Sequence, residues 1–354
     1  MKIVTVIGAR PQFIKASAVS RALTAQAGVL EVVVHTGQHF DANMSAIFFD
    51  QLGLPRPAHQ LDIHGGHHGD MTGRMLAAIE QVLLEERPDR VLVYGDTNST
   101  LAGALAAAKL HVPVSHVEAG LRSFNRRMPE EINRILTDQL SDQLFCPTEA
   151  AMANLRQEGF AHKPVEILNV GDVMLDAALF FAAHARLPEA VVADERFLLA
   201  TFHRAENVDD RERLAAIVDA VNAIHDGGMP VVLPLHPRTR ATIARAGLTL
   251  RARVMEPVGY LEMIGLLKAC SAVITDSGGL QKEAFFFRKP CLTVRDQTEW
   301  VELLEAGANR LVAADASAIR AALAAMLATD LTACPDLYGG GQAAARIAVH
   351  LAAR

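Results

Sequence analysis

Short runs of Val, Ile and Leu recur along this chain, and each ends in a Gly-rich or polar turn that opens a helical pattern. In the first half the runs are Ile3–Ile7, Glu31–His35, Arg90–Tyr94, Pro113–Val117 and Gln143–Cys146; in the second they are Phe197–Thr201, Pro230–Leu235, Ala272–Thr275 and Cys291–Val294. Runs this apolar suit parallel strands buried on both faces. Strand-then-helix order predicts an α/β fold with doubly wound sheets. Two sets of such strands predict two Rossmann-like domains, the number a chain of 354 residues leads one to expect. Asn169-Val170-Gly171-Asp172 closes the first set and Phe197 opens the second. The expected domains are 1–170 and 171–336, followed by a helix in 337–354 beyond the Gly339–Gly341 hinge.

Composition narrows the function classes. Hydrophobic residues make up 51% of the chain, enough for real cores, which excludes a disordered protein. Lys and Arg number 34 against 40 Asp and Glu, a net charge of −6 with no basic stripe, so a nucleic-acid partner is not expected. Cys146, Cys270, Cys291 and Cys334 lie far apart with no CxxC pair, which fits a reducing compartment and neither a disulfide framework nor a zinc site. The apolar start is too short for a signal peptide, and no run of about 18 apolar residues occurs, so membrane insertion is not expected. A cytoplasmic protein is the expectation.

In open α/β sheets ligands sit beyond the carboxyl ends of the strands, so two such sheets facing each other would bind in the cleft between them. The polar residues just after strands are therefore the candidates. Gly8-Ala9-Arg10-Pro11 with Lys15 puts two cations near a helix start, which suits an anion or leaves two solvated charges. It is not the GxGxxG of a dinucleotide site. In Tyr94-Gly95-Asp96-Thr97-Asn98, Asp96 either caps the next helix or faces the site. In His116-Val117-Glu118-Ala119-Gly120, Glu118 stands among small apolar residues, where a carboxylate needs a partner or a raised pKa; either suits proton transfer. Pro129-Glu130-Glu131 reads first as a helix start with favourable dipole charges.

The second half offers His203-Arg204, able to supply a proton and bind phosphate, and Asp276-Ser277-Gly278-Gly279, a strand–helix junction whose amides can cradle a diphosphate. Glu283 lies near enough to accept from a ribose hydroxyl, and Tyr260 is a further candidate contact. The glycines of His64-Gly65-Gly66-His67-His68 deny it helical ligand spacing, so a metal site is not expected.

These motifs, in this order, resemble the non-hydrolysing UDP-N-acetylglucosamine 2-epimerase family along nearly the whole chain. The matching pieces are Gly8 to Gln12 with Lys15, Thr36-Gly37-Gln38-His39, Gly95-Asp96-Thr97, His116 to Arg122, Pro129-Glu130-Glu131 with Asn133-Arg134, His203-Arg204, and Thr275 to Gly279 with Glu283. The resemblance implies a glycosyltransferase-B type fold whose last helix returns to the first domain. It implies a UDP-sugar substrate, no cofactor or metal, and a homodimer. Within the family, His39 to Ser45, Phe124 to Met128, His203 to Asn207 and Leu337 to Gln342 look closest to the UDP-2,3-diacetamido-2,3-dideoxyglucuronate 2-epimerases, with UDP-N-acetylglucosamine as the alternative substrate.

By family match Asp96, Glu118 and Glu130 are acid/base candidates, with His203 at the leaving phosphate. Arg10, Lys15, Arg204, Ser277, Gly278, Gly279 and Glu283 hold the nucleotide. Three departures stand out: Phe40 to Asn43 where an activator is bound in relatives, Ala205 in place of a second Arg, and Trp300 in place of an Arg after Thr298-Glu299. A glycosyltransferase of the same fold and a non-catalytic UDP-sugar sensor are the rival readings.

Overall fold

The computed structural model describes residues 1–38, 53–192 and 195–353. The chain forms two compact units, Met1–Ala177 with Asp336–Arg354, and Ala178–Pro335; the division falls inside the helix Val173–Ala182. Among the described residues the first unit holds a seven-stranded sheet: β1 (Lys2–Ile7), β2 (Leu30–His35), β3 (His59–Gln60), β4 (Arg90–Tyr94), β5 (Val114–Val117), β6 (Gln143–Cys146) and β7 (Glu166–Asn169), in the order β3-β2-β1-β4-β5-β6-β7. The second holds β8 (Leu198–Thr201), β9 (Val231–Pro234), β10 (Arg253–Met255), β11 (Ala272–Thr275), β12 (Cys291–Val294) and β13 (Asn309–Val312), in the order β10-β9-β8-β11-β12-β13. Neighbouring strands are parallel throughout.

Both sheets are doubly wound, and in each the chain moves outward to one side, then returns to build the other. The switch points lie between β1 and β4 and between β8 and β11. Loops diverge there, which leaves open the carboxyl ends of those four strands.

Burial explains why these strands read so clearly. Side chains alternate across a strand. In the second unit Leu198 and Ala200 of β8 pack with Leu214, Ile217 and Leu323. Phe197 and Leu199 pack instead with Leu266, Leu267 and Leu280. Two covered faces demand apolar residues at every position. The four strands that the apolar runs do not announce, β3, β7, β10 and β13, are the sheet edges. Their sequences, His-Gln, Glu-Ile-Leu-Asn, Arg-Val-Met and Asn-Arg-Leu-Val, are mixed because edge positions stay partly exposed.

Small residues bring one helix close to the first switch point. The helix Asn98–Lys109 is rich in Ala, and a Cβ at its Gly103 would lie 3.2 Å from Val6 and Val93 on β1 and β4. Among the described residues no helix is long and apolar enough to cross a membrane.

The last helix, Ala343–Ala352, belongs to the first unit and packs on the helix Arg10–Thr24. Asp176 supplies its amino-terminal cap, accepting from Ala343 N at 3.2 Å and Ala344 N at 2.8 Å. Arg346 donates to Val170 O at 2.9 Å, and Asp172 N to Tyr338 O at 3.0 Å. Gly171 lies beneath this contact at φ +91°, and a Cβ there would stand 2.5 Å from Tyr338 O. Both the backbone conformation and the space exclude a side chain. Gly171→Ala is expected to cost about 2 kcal/mol or more, read as a lower urea midpoint for the full chain. An unchanged midpoint would show that the contact can relax.

Candidate active site

The carboxyl ends of β4 and β5 carry two carboxylates, and each is held by a cation. Tyr94 and Val117 are in register at those strand ends, and Gly95 N donates to Val117 O at 2.9 Å. Asp96 therefore follows one strand and Glu118 the neighbouring one. Glu118 pairs with Lys15 from the first helix, and both side chains are about nine-tenths buried. Asp96 pairs with Arg134 and keeps 30% of its side chain exposed.

Local sequence explains the arrangement. Thr97, not Asp96, caps the helix Asn98–Lys109 by accepting from Thr100 N at 3.3 Å. That frees Asp96 from the commonest task of an Asp in this position. Gly95 turns the chain at φ +63°, and a Cβ on it would come within 3.1 Å of Glu118 Oε2 and 3.3 Å of Lys15 Nζ. The missing side chain leaves space for the ion pair. Glu118 itself adopts φ +71°, a left-handed conformation costly for a residue with a Cβ. It is kept there as its own N–H and that of Ala119 both donate to Phe145 O at 3.1 Å. Strain at a residue already singled out for its chemistry is a mark of functional sites.

Glu130 and Glu131 diverge. Glu130 is exposed and makes no hydrogen bond or ion pair among the described residues. Glu131 is 1% exposed and accepts from Ser123 N, Ser123 Oγ and Phe124 N, each at 2.9 Å. It also meets Arg134 Nη1 at 3.2 Å. Its work is to tie the Ser123-Phe124 turn, which the helix-start reading did not anticipate. The i, i+3 spacing of Glu131 and Arg134 was the available signal.

A second buried set, whose contacts no local sequence pattern reveals, underlies both turns. Asp138 is fully buried and meets His116 Nδ1 at 2.8 Å and Arg122 at 2.7 Å, and accepts from Gly120 N at 3.2 Å. The other nitrogen of His116 lies 2.7 Å from Gly95 O. Burial alone would raise the Asp138 carboxyl, but His116 and Arg122 outweigh it and hold it below the usual carboxylate range.

In the second unit the ends of β8 and β11 meet in register at Thr201 and Thr275. Asp276, fully buried, accepts from His203 N at 3.1 Å, Arg204 N at 3.1 Å and Asn207 Nδ2 at 3.2 Å, and lies 3.2 Å from His203 Nδ1. Burial pushes this carboxyl up, yet His203 and the amide donors prevail and leave it lowered. The His203 side chain is 54% exposed, so it is aimed by Asp276 and still open to a ligand. Ser277 caps the helix Gly278–Phe286 by accepting from Leu280 N at 3.4 Å. A Cβ at Gly278 would stand 2.6 Å from Glu299, while at Gly279 it would meet nothing within 4 Å. Glu283, on the same helix, is 8% exposed. Tyr260 stands inside the unit, its ring edge-on to Phe181 at 5.8 Å.

Trp300, where the resemblance expects an Arg, is buried under Lys282 Nζ, 3.9 Å above its ring. It receives a cation instead of supplying one. The Cys270 and Cys291 thiols are pushed up to about 12 by burial, which suits packing and not nucleophilic chemistry. Among the described residues no group of three or more His, Cys, Asp or Glu is placed to hold a metal ion. His39 and the stretch Phe40 to Ser45 lie outside the described residues.

Residues 21–352 match the protein family described as UDP-N-acetylglucosamine 2-epimerase. The chain belongs to that family. A UDP-2,3-diacetamido-2,3-dideoxy-D-glucuronate 2-epimerase of Pseudomonas aeruginosa is 64% identical over 352 residues, covering 99% of each chain. A UDP-N-acetylglucosamine 2-epimerase of Methanocaldococcus jannaschii is 45% identical over 326 residues, covering 88% of each. The crystal structure of the Methanocaldococcus jannaschii UDP-GlcNAc 2-epimerase in complex with UDP-GlcNAc and UDP matches over 100% of both chains, with TM-score 0.91 and 42% identity. The glycosyltransferase-B type architecture of the family agrees with the two parallel sheets.

The Asp276 cluster generates a pH test. Its folded carboxyl lies below the free value of about 3.9, so its charge stabilises the fold above that pH and ceases to do so as pH falls through the lowered value. The stability gap between the wild type and Asp276→Asn, from urea titrations, is expected to be widest above pH ~4 and to narrow below it. A gap independent of pH would contradict the assignment.

Proposed function

We propose that the protein is a UDP-sugar 2-epimerase acting on UDP-2,3-diacetamido-2,3-dideoxy-D-glucuronate to give the manno epimer, for polysaccharide or O-antigen synthesis. Two things support the substrate over UDP-N-acetylglucosamine. The relative named for it is 64% identical, against 45% for one named for UDP-N-acetylglucosamine. The departures at Ala205 and Trp300 also remove cations that the resemblance expects.

The observation that carries the reaction class is the pair of cation-held carboxylates on adjacent strand ends, Asp96 and Glu118. The C2 proton of the sugar is weakly acidic, so removal and return without other bond changes is very costly. Elimination avoids that cost. A carboxylate takes H2 as the C1–O bond breaks, the electrons form a C1–C2 double bond, and UDP departs with the bonding pair. UDP then adds back at C1 while C2 is protonated on the opposite face. Positive charge developing at C1 is stabilised by nearby carboxylates, and the departing diphosphate by fixed donors.

Asp96 and Glu118 are the preferred acid/base pair, and Glu130, exposed and unpaired among the described residues, is the third candidate. Arg10, Arg204 and the amides of Ser277, Gly278 and Gly279 hold the diphosphate, His203 supports its departure, and Glu283 takes the ribose. Lys15 fixes Glu118 and stands beside the nucleotide. Arg126 and Arg127, both exposed, are positioned in sequence to meet the sugar carboxylate. The four free cysteines fit a cytoplasmic enzyme, and the family resemblance favours a homodimer.

Incubation with the UDP-diacetamido uronate alone in heavy water tests this reading. Equilibration with the manno epimer and deuterium at C2 are expected, faster than with UDP-N-acetylglucosamine. A product without deuterium at C2, or no reaction without an acceptor, would overturn it. Asp96→Asn and Glu118→Gln should each lower turnover at least about a hundredfold.

A further inference from the structure

Arg134 touches Asp96 with one arm of its guanidinium and Glu131 with the other. Arg134 is 5% exposed and Glu131 1%, so this is a buried cation between two carboxylates. The two acids differ in freedom. Glu131 is locked by three hydrogen bonds to Ser123 and Phe124, while the Asp96 side chain remains 30% open. The Asp96 backbone is also anchored, because Asn133 Nδ2 donates to Asp96 O at 3.0 Å and to Asn98 Oδ1 at 3.2 Å. One helix, Pro129–Leu140, therefore grips Asp96 at both its carbonyl and its carboxylate.

We propose that Arg134 is a positioning residue for the reaction: its planar fork aims the open Asp96 carboxylate, with buried Glu131 as the fixed counter-charge that keeps the fork in place. This rests on Asp96 being an acid/base group, as proposed above. A bidentate guanidinium bridging two acids sets direction as well as charge, which an ammonium does not. The same grip reaches the Ser123-Phe124 turn, where Phe124 sits at φ +57° with 73% of its surface exposed. Glu131 holds that strained turn and the Arg134 fork with one carboxylate, so the loop bearing Arg126 and Arg127 and the aim of Asp96 share a single anchor.

The test is a double-mutant cycle on the full-length enzyme: Arg134→Gln, Asp96→Asn and both together, with Arg134→Lys as the charge-retaining variant. A misdirected carboxylate costs rate far more than binding. Arg134→Gln is expected to lower kcat about a hundredfold with KM within about threefold. The double variant should then be no slower than Asp96→Asn alone, because Arg134 acts through Asp96. Arg134→Lys should recover part of kcat. Retained UDP affinity establishes that each variant is folded.

Losses that multiply, a kcat for Arg134→Gln within threefold of the wild type, or a KM rise that carries the whole effect would overturn the positioning role. If Asp96→Asn itself turns over normally, the acid/base assignment fails instead, and the two failures are distinguished.

Discussion

A carboxylate placed at the end of a strand buried on both faces has little water to solvate it, so it must be matched by a cation or lose its charge. The first unit meets this requirement twice, at neighbouring positions. Lys15 reaches Glu118 from the first helix, and Arg134 reaches Asp96 from the helix Pro129–Leu140. The glycine at 95 leaves room for the Lys15–Glu118 pair, and Glu118 itself stands in a left-handed conformation. Both ion pairs sit at the carboxyl ends of neighbouring strands, beside the switch point where a doubly wound sheet leaves space for a ligand.

The second unit solves a related problem with the opposite charge. Its switch point gathers backbone amides, His203 and Arg204 at the ends of β8 and β11, with one buried acid, Asp276, orienting them. Asp276 accepts from the backbone of His203 and Arg204 and also meets one ring nitrogen of His203. His203 is half exposed while its ring is fixed from behind. Each unit thus has its own switch point, acidic in the first and amide-rich in the second.

Much of this was legible in the residues alone, for identifiable reasons. Central strands such as Arg90–Tyr94 announce themselves because both faces are covered, and their last residue points to the polar turn that follows. The edge strands β3 and β13 do not, since half-exposed positions accept polar residues. The residues of Asp96-Thr97-Asn98 do not tell which of them caps the helix; in the structure Thr97 does, which leaves Asp96 without that task. Glu131 was hidden by its company: after Pro129 and Glu130 it looks like ordinary helix-start charge, and only its burial separates it from its neighbour. His116, Asp138 and Arg122 were unread because their partners come from different elements, and a contact across 22 residues of chain, as between His116 and Asp138, leaves no local pattern.

In the proposed mechanism, cleavage of the C1–O bond is the step these fixed charges support, and it separates elimination from any route that keeps the UDP attached. Labelling the bridging oxygen between C1 and the β-phosphorus with heavy oxygen tests it directly. During turnover the freed diphosphate rotates, so the label is expected to scramble into the non-bridging positions of the β-phosphate as the epimers equilibrate. A label that stays wholly in the bridge after full equilibration would contradict the account.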